Sequence, residues 1–208
     1  MKLLAVERFA GKWPAEAATA LTSAEVASPM CLPVTLMTDS AMVRRGMPMF
    51  VPDFAQGWDL EVVPFFSLGR LGKSISPRFA PRYINGWGVA VRAVPPGMPD
   101  CGEGYVPGAL AVNFDGAVAP GEVFPFENAV DAGIEVDGCG VLHLPWADMH
   151  VEDTVALASR YMMLKTGDIV MPCRTGLKLP VKLDTKLEGR LNGKPALSLK
   201  IIPVIKRV

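Results

Sequence analysis

Short apolar runs, rich in β-branched and aromatic residues and cut by Gly, Pro, Asn or Asp, recur along the chain: MKLLAVE, LPVTLMT, LEVVPFF, GVAVRAV, GALAVNF, CGVLHLPW, GDIVMP and ALSLKIIPVI. Runs of this kind, bounded by turn formers, predict strands. The helical period is clear in VEDTVALASRYMMLK, where Val151, Val155, Ala158 and Met162 recur at helical spacing. Glu152 and Asp153 stand at its start and Arg160 near its end, as the helix dipole favours. Gly167 in the following KTGD is expected to stop this helix as a left-handed cap residue. A second, shorter helix is predicted within AEAATALTSAEV, and LEGRLNGKPALSLKI predicts a hairpin turning at Asn192-Gly193. SPRFAPRYINGW is expected to be a packed irregular loop.

Composition narrows the class. A chain of 208 residues with 50% apolar content supports one domain, residues 1–208, with a sizeable core. Its 20 glycines and 19 prolines show no period, which favours many turns between short strands over disorder. The 21 basic and 21 acidic residues balance, so the electrostatic footprint of a nucleic-acid binder is missing. Glu7 and Arg8 interrupt the opening apolar stretch, which does not suit a signal peptide, and no later run approaches a membrane span. A soluble, cytoplasmic protein is expected. Cys31, Cys101, Cys139 and Cys173 form no CxxC spacing, so free thiols are the default.

Candidate chemistry concentrates at a few positions. Asp59 and Glu61 lie two apart in a predicted strand, so both point to one face, roughly 6 to 7 Å apart. Two acids so placed either hold a cation or form an internal ion pair. His143, Asp148 and His150 in HLPWADMH offer a zinc set, but Pro145 breaks the regularity and satisfied histidines are the favoured reading. In PCRTG, Cys173 beside Arg174 has a nucleophile's setting, weighed against a small buried hydrophobe with no general base nearby in sequence. The arginines of RRG and SPRFAPRY suit a phosphate or carboxylate. The competing reading has them clamp loops through backbone carbonyls and stack on Phe79 and Tyr83.

Several stretches together resemble the fumarylacetoacetate hydrolase superfamily: MTDSAMVRRGMPMFVPDF, the acid pair of WDLEVV, GRLGKSISPRFAPRY, NFDG, and YMMLKTGDIV with KLEGRLNG. The likeness runs from about Met1 to the C-terminus and is nearest to short members without an N-terminal extra domain. It implies an α+β, β-rich fold of several layers of mixed β-sheet with few helices, assembled as a homodimer. It also implies chemistry on β-diketo acids, acylpyruvates or related keto acids, by C–C cleavage, decarboxylation or isomerisation. There Mg²⁺, Mn²⁺ or Ca²⁺ is held by an acid-x-acid pair and a later aspartate, polarising two substrate oxygens.

Carried over residue by residue, that pattern is broken here. The acid pair is Asp59 and Glu61, but the later aspartate's place, about nine residues after Arg82-Tyr83, holds Arg92. A guanidinium repels a metal and pairs with carboxylates itself. The family's lysine before Phe114-Asp115-Gly116 is replaced by Val112 and Asn113. Its TGTP-type turn reads Pro172, Cys173 and Arg174, and Met37 stands where a polar residue precedes the TDS stretch. No histidine precedes His143, so the lid base of hydrolytic members has no counterpart. The resemblance therefore implies a vestigial, non-catalytic homologue without cofactor, in which Arg92 neutralises Asp59 and Glu61 and the old cleft takes a small carboxylate or a protein partner. The alternative is an active enzyme on a small acylpyruvate or β-keto acid, with Mg²⁺ or Mn²⁺ held by Asp59, Glu61 and waters. A third reading makes Arg92 the electrophile of a metal-independent enzyme.

Overall fold

The computed structural model describes residues 1–6, 34–53, 57–95, 112–127, 131–136, 140–173, 178–182 and 184–203. The second predicted helix, Arg174, most of GALAVNF, and Cys31, Cys101 and Cys139 lie outside the described residues.

Two sheets form the frame. The first takes β1 (Leu3–Val6), β2 (Val34–Met37), β4 (Asp59–Leu68), β5 (Ile84–Val94), β6 (Val118–Pro120) and β10 (Ile169–Pro172) in the order β2-β1-β10-β4-β5-β6. Two short strands, β7 (Phe124–Pro125) and β11 (Lys178–Pro180), add to β5 and β4. The β1–β10 pair is parallel and the other pairs of this sheet are antiparallel. The second sheet runs β3 (Met49–Val51), β13 (Lys194–Pro203), β12 (Thr185–Leu191), β8 (Ala132–Val136) and β9 (Gly140–Leu144). The helices α1 (Trp146–Met149) and α2 (Val151–Tyr161) follow β9. This is the β-rich mixed-sheet class expected. Among the described residues no helix is long and apolar enough to cross a membrane.

The continuous apolar run of β4 has a physical reason, since a strand covered on both faces cannot alternate polar and apolar residues. Leu60, Val62, Phe66 and Leu68 face the larger core, joined by Trp87, Val89 and Val91 of β5, Leu197, Leu199 and Ile201 of β13, and Val151, Val155 and Ala158 of α2. Val63 and Phe65 face the other way, with Ala90, Leu3, Ala5, Met37, Ala41, Val118, Met171 and Cys173. Each large side chain buried here contributes about 1.5–3 kcal/mol. Phe66 ties the layers, stacking on Trp87 at 6.4 Å and meeting Trp146 edge-on at 5.7 Å.

The sheets come together tightly at Gly121, whose N–H donates to Val89 O at 2.9 Å while the next amide donates to Ala196 O at 2.6 Å. A Cβ on Gly121 would lie 2.1 Å from Ala196 O and 2.8 Å from Val89 O, both backbone atoms with little room to move. Gly121→Ala is therefore expected to cost about 1–3 kcal/mol. A urea midpoint equal to wild type would contradict this close approach.

Four expectations change. The helix ends at Tyr161 and not near Lys165, because Leu164 turns to pair with Gly72 through two backbone bonds of 2.8 and 3.0 Å. Gly167, with φ +85°, consequently caps no helix; it shapes the Lys165–Asp168 turn that feeds β10. SPRFAPRY is not irregular but a 3-10 helix, Pro77–Tyr83. The described part of GALAVNF, Val112–Phe114, is not a strand, because the chain is already entering the turn that Gly116 completes at φ +77°. The Asn192-Gly193 turn is as expected, with both residues at positive φ.

Candidate functional site

The β4/β5 register places Glu61 opposite Arg92 and Asp59 opposite Val94. Directly opposed residues share a face, so these four side chains rise together from one side of the first sheet, the side that carries Val63, Phe65 and Ala90. On the other flank of β4, β11 sets Lys178 opposite Glu61 and Pro180 opposite Asp59. Glu61 is thus bracketed by two basic residues on adjacent strands. The pairing with Lys178 had no sequence signal, because β11 is a three-residue strand defined by its neighbour.

Arg92 Nε and Nη2 donate to the same carboxylate oxygen, Glu61 Oε2, at 3.2 and 2.6 Å. Arg92 is 0% and Glu61 1% exposed. Burying either charge alone is expensive, and the direct ion pair offsets that cost. Asp59 behaves differently. It is half-buried at the start of β4 and, among the described residues, has no ion-pair partner. The expectation that Arg92 neutralises both acids is corrected for Asp59: a shared face fixes direction, but Nε and Nη2 of the guanidinium both go to the cross-strand neighbour, Glu61.

Other positions gather around this face. Val112 packs against Val94, next to Asp59. Met37, Met171 and Cys173 lie in the same apolar cluster as Val63, so Cys173 is the buried hydrophobe, its thiol turned to Met171 O at 3.5 Å. Pro172 alternates to the opposite side, in register with Val6 of the larger core. Asn113 ties the NFDG turn to the TDS stretch, its Oδ1 accepting from Thr38 N at 2.9 Å, while Gly116 N donates to Ser40 O at 3.0 Å. Asp115 in that turn lines a separate cavity of about 480 Å³ with Asp39, Ser40 and Arg44.

The histidines form no site with Asp148. His150 sits at φ +47° between the two helices with Nδ1 3.7 Å from Asp153, and His143 lies on β9 opposite Gly133. Among the described residues no three His, Cys, Asp or Glu side chains converge as metal ligands. A divalent cation of the Mg²⁺ or Mn²⁺ type needs a shell of oxygens, whereas the group meeting Glu61 here is itself a cation at 2.6 Å. The donor set does not fit such a metal.

No protein-family model and no curated protein matches the sequence. Solved structures do match, over nearly all of it. A fumarylacetoacetate hydrolase family protein from Yersinia pestis CO92 superposes with a TM-score of 0.67 at 20% identity, covering 97% of this chain and 92% of that one. The chain has the fumarylacetoacetate hydrolase fold. The 5-carboxymethyl-2-hydroxymuconate delta-isomerase of Mycobacterium smegmatis matches at 0.67 and 18% identity, over 99% of this chain and 80% of the other. Maleylpyruvate hydrolase from Sphingobium sp. SYK-6, solved with manganese(II) and pyruvate, matches at 0.70 and 15%, over 98% and 71%. The fumarylacetoacetate hydrolase fold thus carries isomerase and hydrolase activities among these neighbours, and one of them holds Mn²⁺.

Proposed function

We propose that this chain is a homologue of the fumarylacetoacetate hydrolase family that has exchanged its metal for an internal cation, and that it keeps the fold without the metal-dependent reaction. The buried Arg92–Glu61 pair carries this reading. The guanidinium supplies the positive charge that a buried carboxylate requires and denies that carboxylate to Mg²⁺ or Mn²⁺. Val112 and Cys173, both buried among apolar side chains, offer no charge to an anionic substrate. Pairing of two chains, which the resemblance implies, belongs to the same proposal, as does a small carboxylate held near the exposed Lys178.

Thermal unfolding and Mn²⁺ dialysis on the wild type and Arg92→Asp test the reading. Wild type is expected to bind no Mn²⁺ and to melt at the same temperature with and without it. Arg92→Asp is expected to take up Mn²⁺ and to gain stability with its concentration, by about 2.7 kcal/mol at a hundredfold excess over Kd. Metal-dependent stabilisation of the wild type would overturn the proposal. It would favour a second reading, for which Asp59 is the supporting observation: a carboxylate that Arg92 leaves unengaged is available to a cation with waters. Mn²⁺-dependent turnover of an acylpyruvate, abolished in Asp59→Asn, is what that alternative requires.

A further inference from the structure

The segment from Gly69 to Tyr83 contains Arg70, Lys73, Arg78 and Arg82 and no acidic residue. All four cations are exposed, and among the described residues none forms an ion pair. Two of them share one aromatic ring. The Cζ of Arg78 lies 4.4 Å and that of Arg82 5.0 Å from the centroid of Phe79. The ring attracts each guanidinium, but two like charges held within 5.0 Å of one centroid repel one another, which a dianion reached by both would relieve. Their side chains do not clamp the loop, since among the described residues neither donates to a backbone carbonyl.

The platform beneath them is firmly tied. Gly69 N donates to Tyr83 O at 2.7 Å, which ties the start of this segment to the end of the 3-10 helix. Gly72 lies against the Tyr83 ring, where a Cβ would come 2.5 Å from Cε1. Ser74 N donates to Ser159 O at 2.9 Å and Ile75 N to Ser159 Oγ at 2.8 Å, fixing the loop to α2. This face stands at the far end of β4 from Glu61, seven residues away or roughly 23 Å along an extended strand. It is therefore separate from the Arg92 site.

We propose that Arg78 and Arg82 form a binding site for the dianion of a phosphate monoester. A carboxylate has two oxygens in one plane and satisfies one guanidinium fork. The three terminal oxygens of a phosphate group serve two forks that are not coplanar. The site does not depend on what occupies the Arg92 region.

Calorimetric titration with phenyl phosphate and with inorganic phosphate, at ionic strength held constant with NaCl, tests the proposal on the full chain. Saturable binding is expected, weakened at least tenfold in Arg78→Gln and in Arg82→Gln, and unchanged in Arg44→Gln. Affinity should also fall as the pH drops through about 6, where the monoester dianion takes up a proton and becomes a monoanion. Both arginines are exposed, so the variants should fold, and their melting temperatures in NaCl verify it. Stabilisation that never saturates and is equal in all four proteins is a general salt effect and would overturn the site. Malonate binding as tightly as phosphate would refute the phosphate assignment. Binding to phosphatidic acid vesicles without binding to soluble phenyl phosphate would refute a small-molecule ligand.

Discussion

Arg92→Met is expected to lower stability by about 3–5 kcal/mol, because it removes the guanidinium paired with the Glu61 carboxylate in an environment where that residue is 1% exposed. For a protein of this length that corresponds to a fall in Tm on the order of 10 °C. The loss is not the intrinsic value of the ion pair. Most of it is the cost of a buried charge that has lost its opposite charge, so removing both partners should recover it. Glu61→Leu combined with Arg92→Met is expected to unfold within about 1–2 kcal/mol of wild type, or above it, as apolar replacements of buried pairs often do. Urea midpoints for the two single variants and the double variant close the cycle. A single variant as stable as wild type would show that the pair is solvated. A double variant whose loss equals the sum of the two single losses would show that the two residues do not act on each other. The measurement also bears on function, since a site in which a metal normally neutralises Glu61 has no need of Arg92 for stability.

How much of this was legible in the sequence differs between strands and site. β4 and β10 announce themselves because sheet residues buried on both faces must be apolar throughout, as LEVVPFF and GDIVMP are. β3, β6, β7 and β11, two or three residues each, carry no pattern of their own and exist because a longer strand offers hydrogen bonds. In β5, Gly86 and Gly88 weaken the signal at the N-terminal half, yet Gly88 is there because the Phe65 ring opposite would lie 2.7 Å from any Cβ. The facing of Asp59 and Glu61 followed from alternation alone. Arg92 came from the family likeness, and its preference for Glu61 follows from a cross-strand register that sequence does not state. Lys178 was missed with β11. The paired arginines on Phe79 were visible as residue types, but only the 3-10 helix brings residues 78, 79 and 82 together.

Asp168, which in the sequence is only the last residue of KTGD, supplies the second large expected effect. Its carboxylate is 1% exposed and receives Lys2 N and Lys165 N at 2.8 Å each, with Lys2 Nζ at 2.6 Å. It thereby fastens β1 to β10 at the parallel pair on which the first sheet's order depends. Burial pushes the Asp168 carboxyl upward, but the Lys2 side chain and the two backbone amides together outweigh it and hold the acid below its ordinary range. A carboxyl lowered in the folded state contributes stability that is present above its unfolded value, near 3.9, and is lost as pH falls through the folded value. Asp168→Asn is therefore expected to cost about 3 kcal/mol at pH 7, because the amide's NH₂ must face an N–H donor and the Lys2 charge loses its partner. The gap between the two proteins should close as both are titrated below about pH 4, with wild type descending toward a flatter variant. Melting curves from pH 7 to pH 3 decide the matter. A gap of constant size down to pH 3 would place the contribution in packing and not in the charge of Asp168.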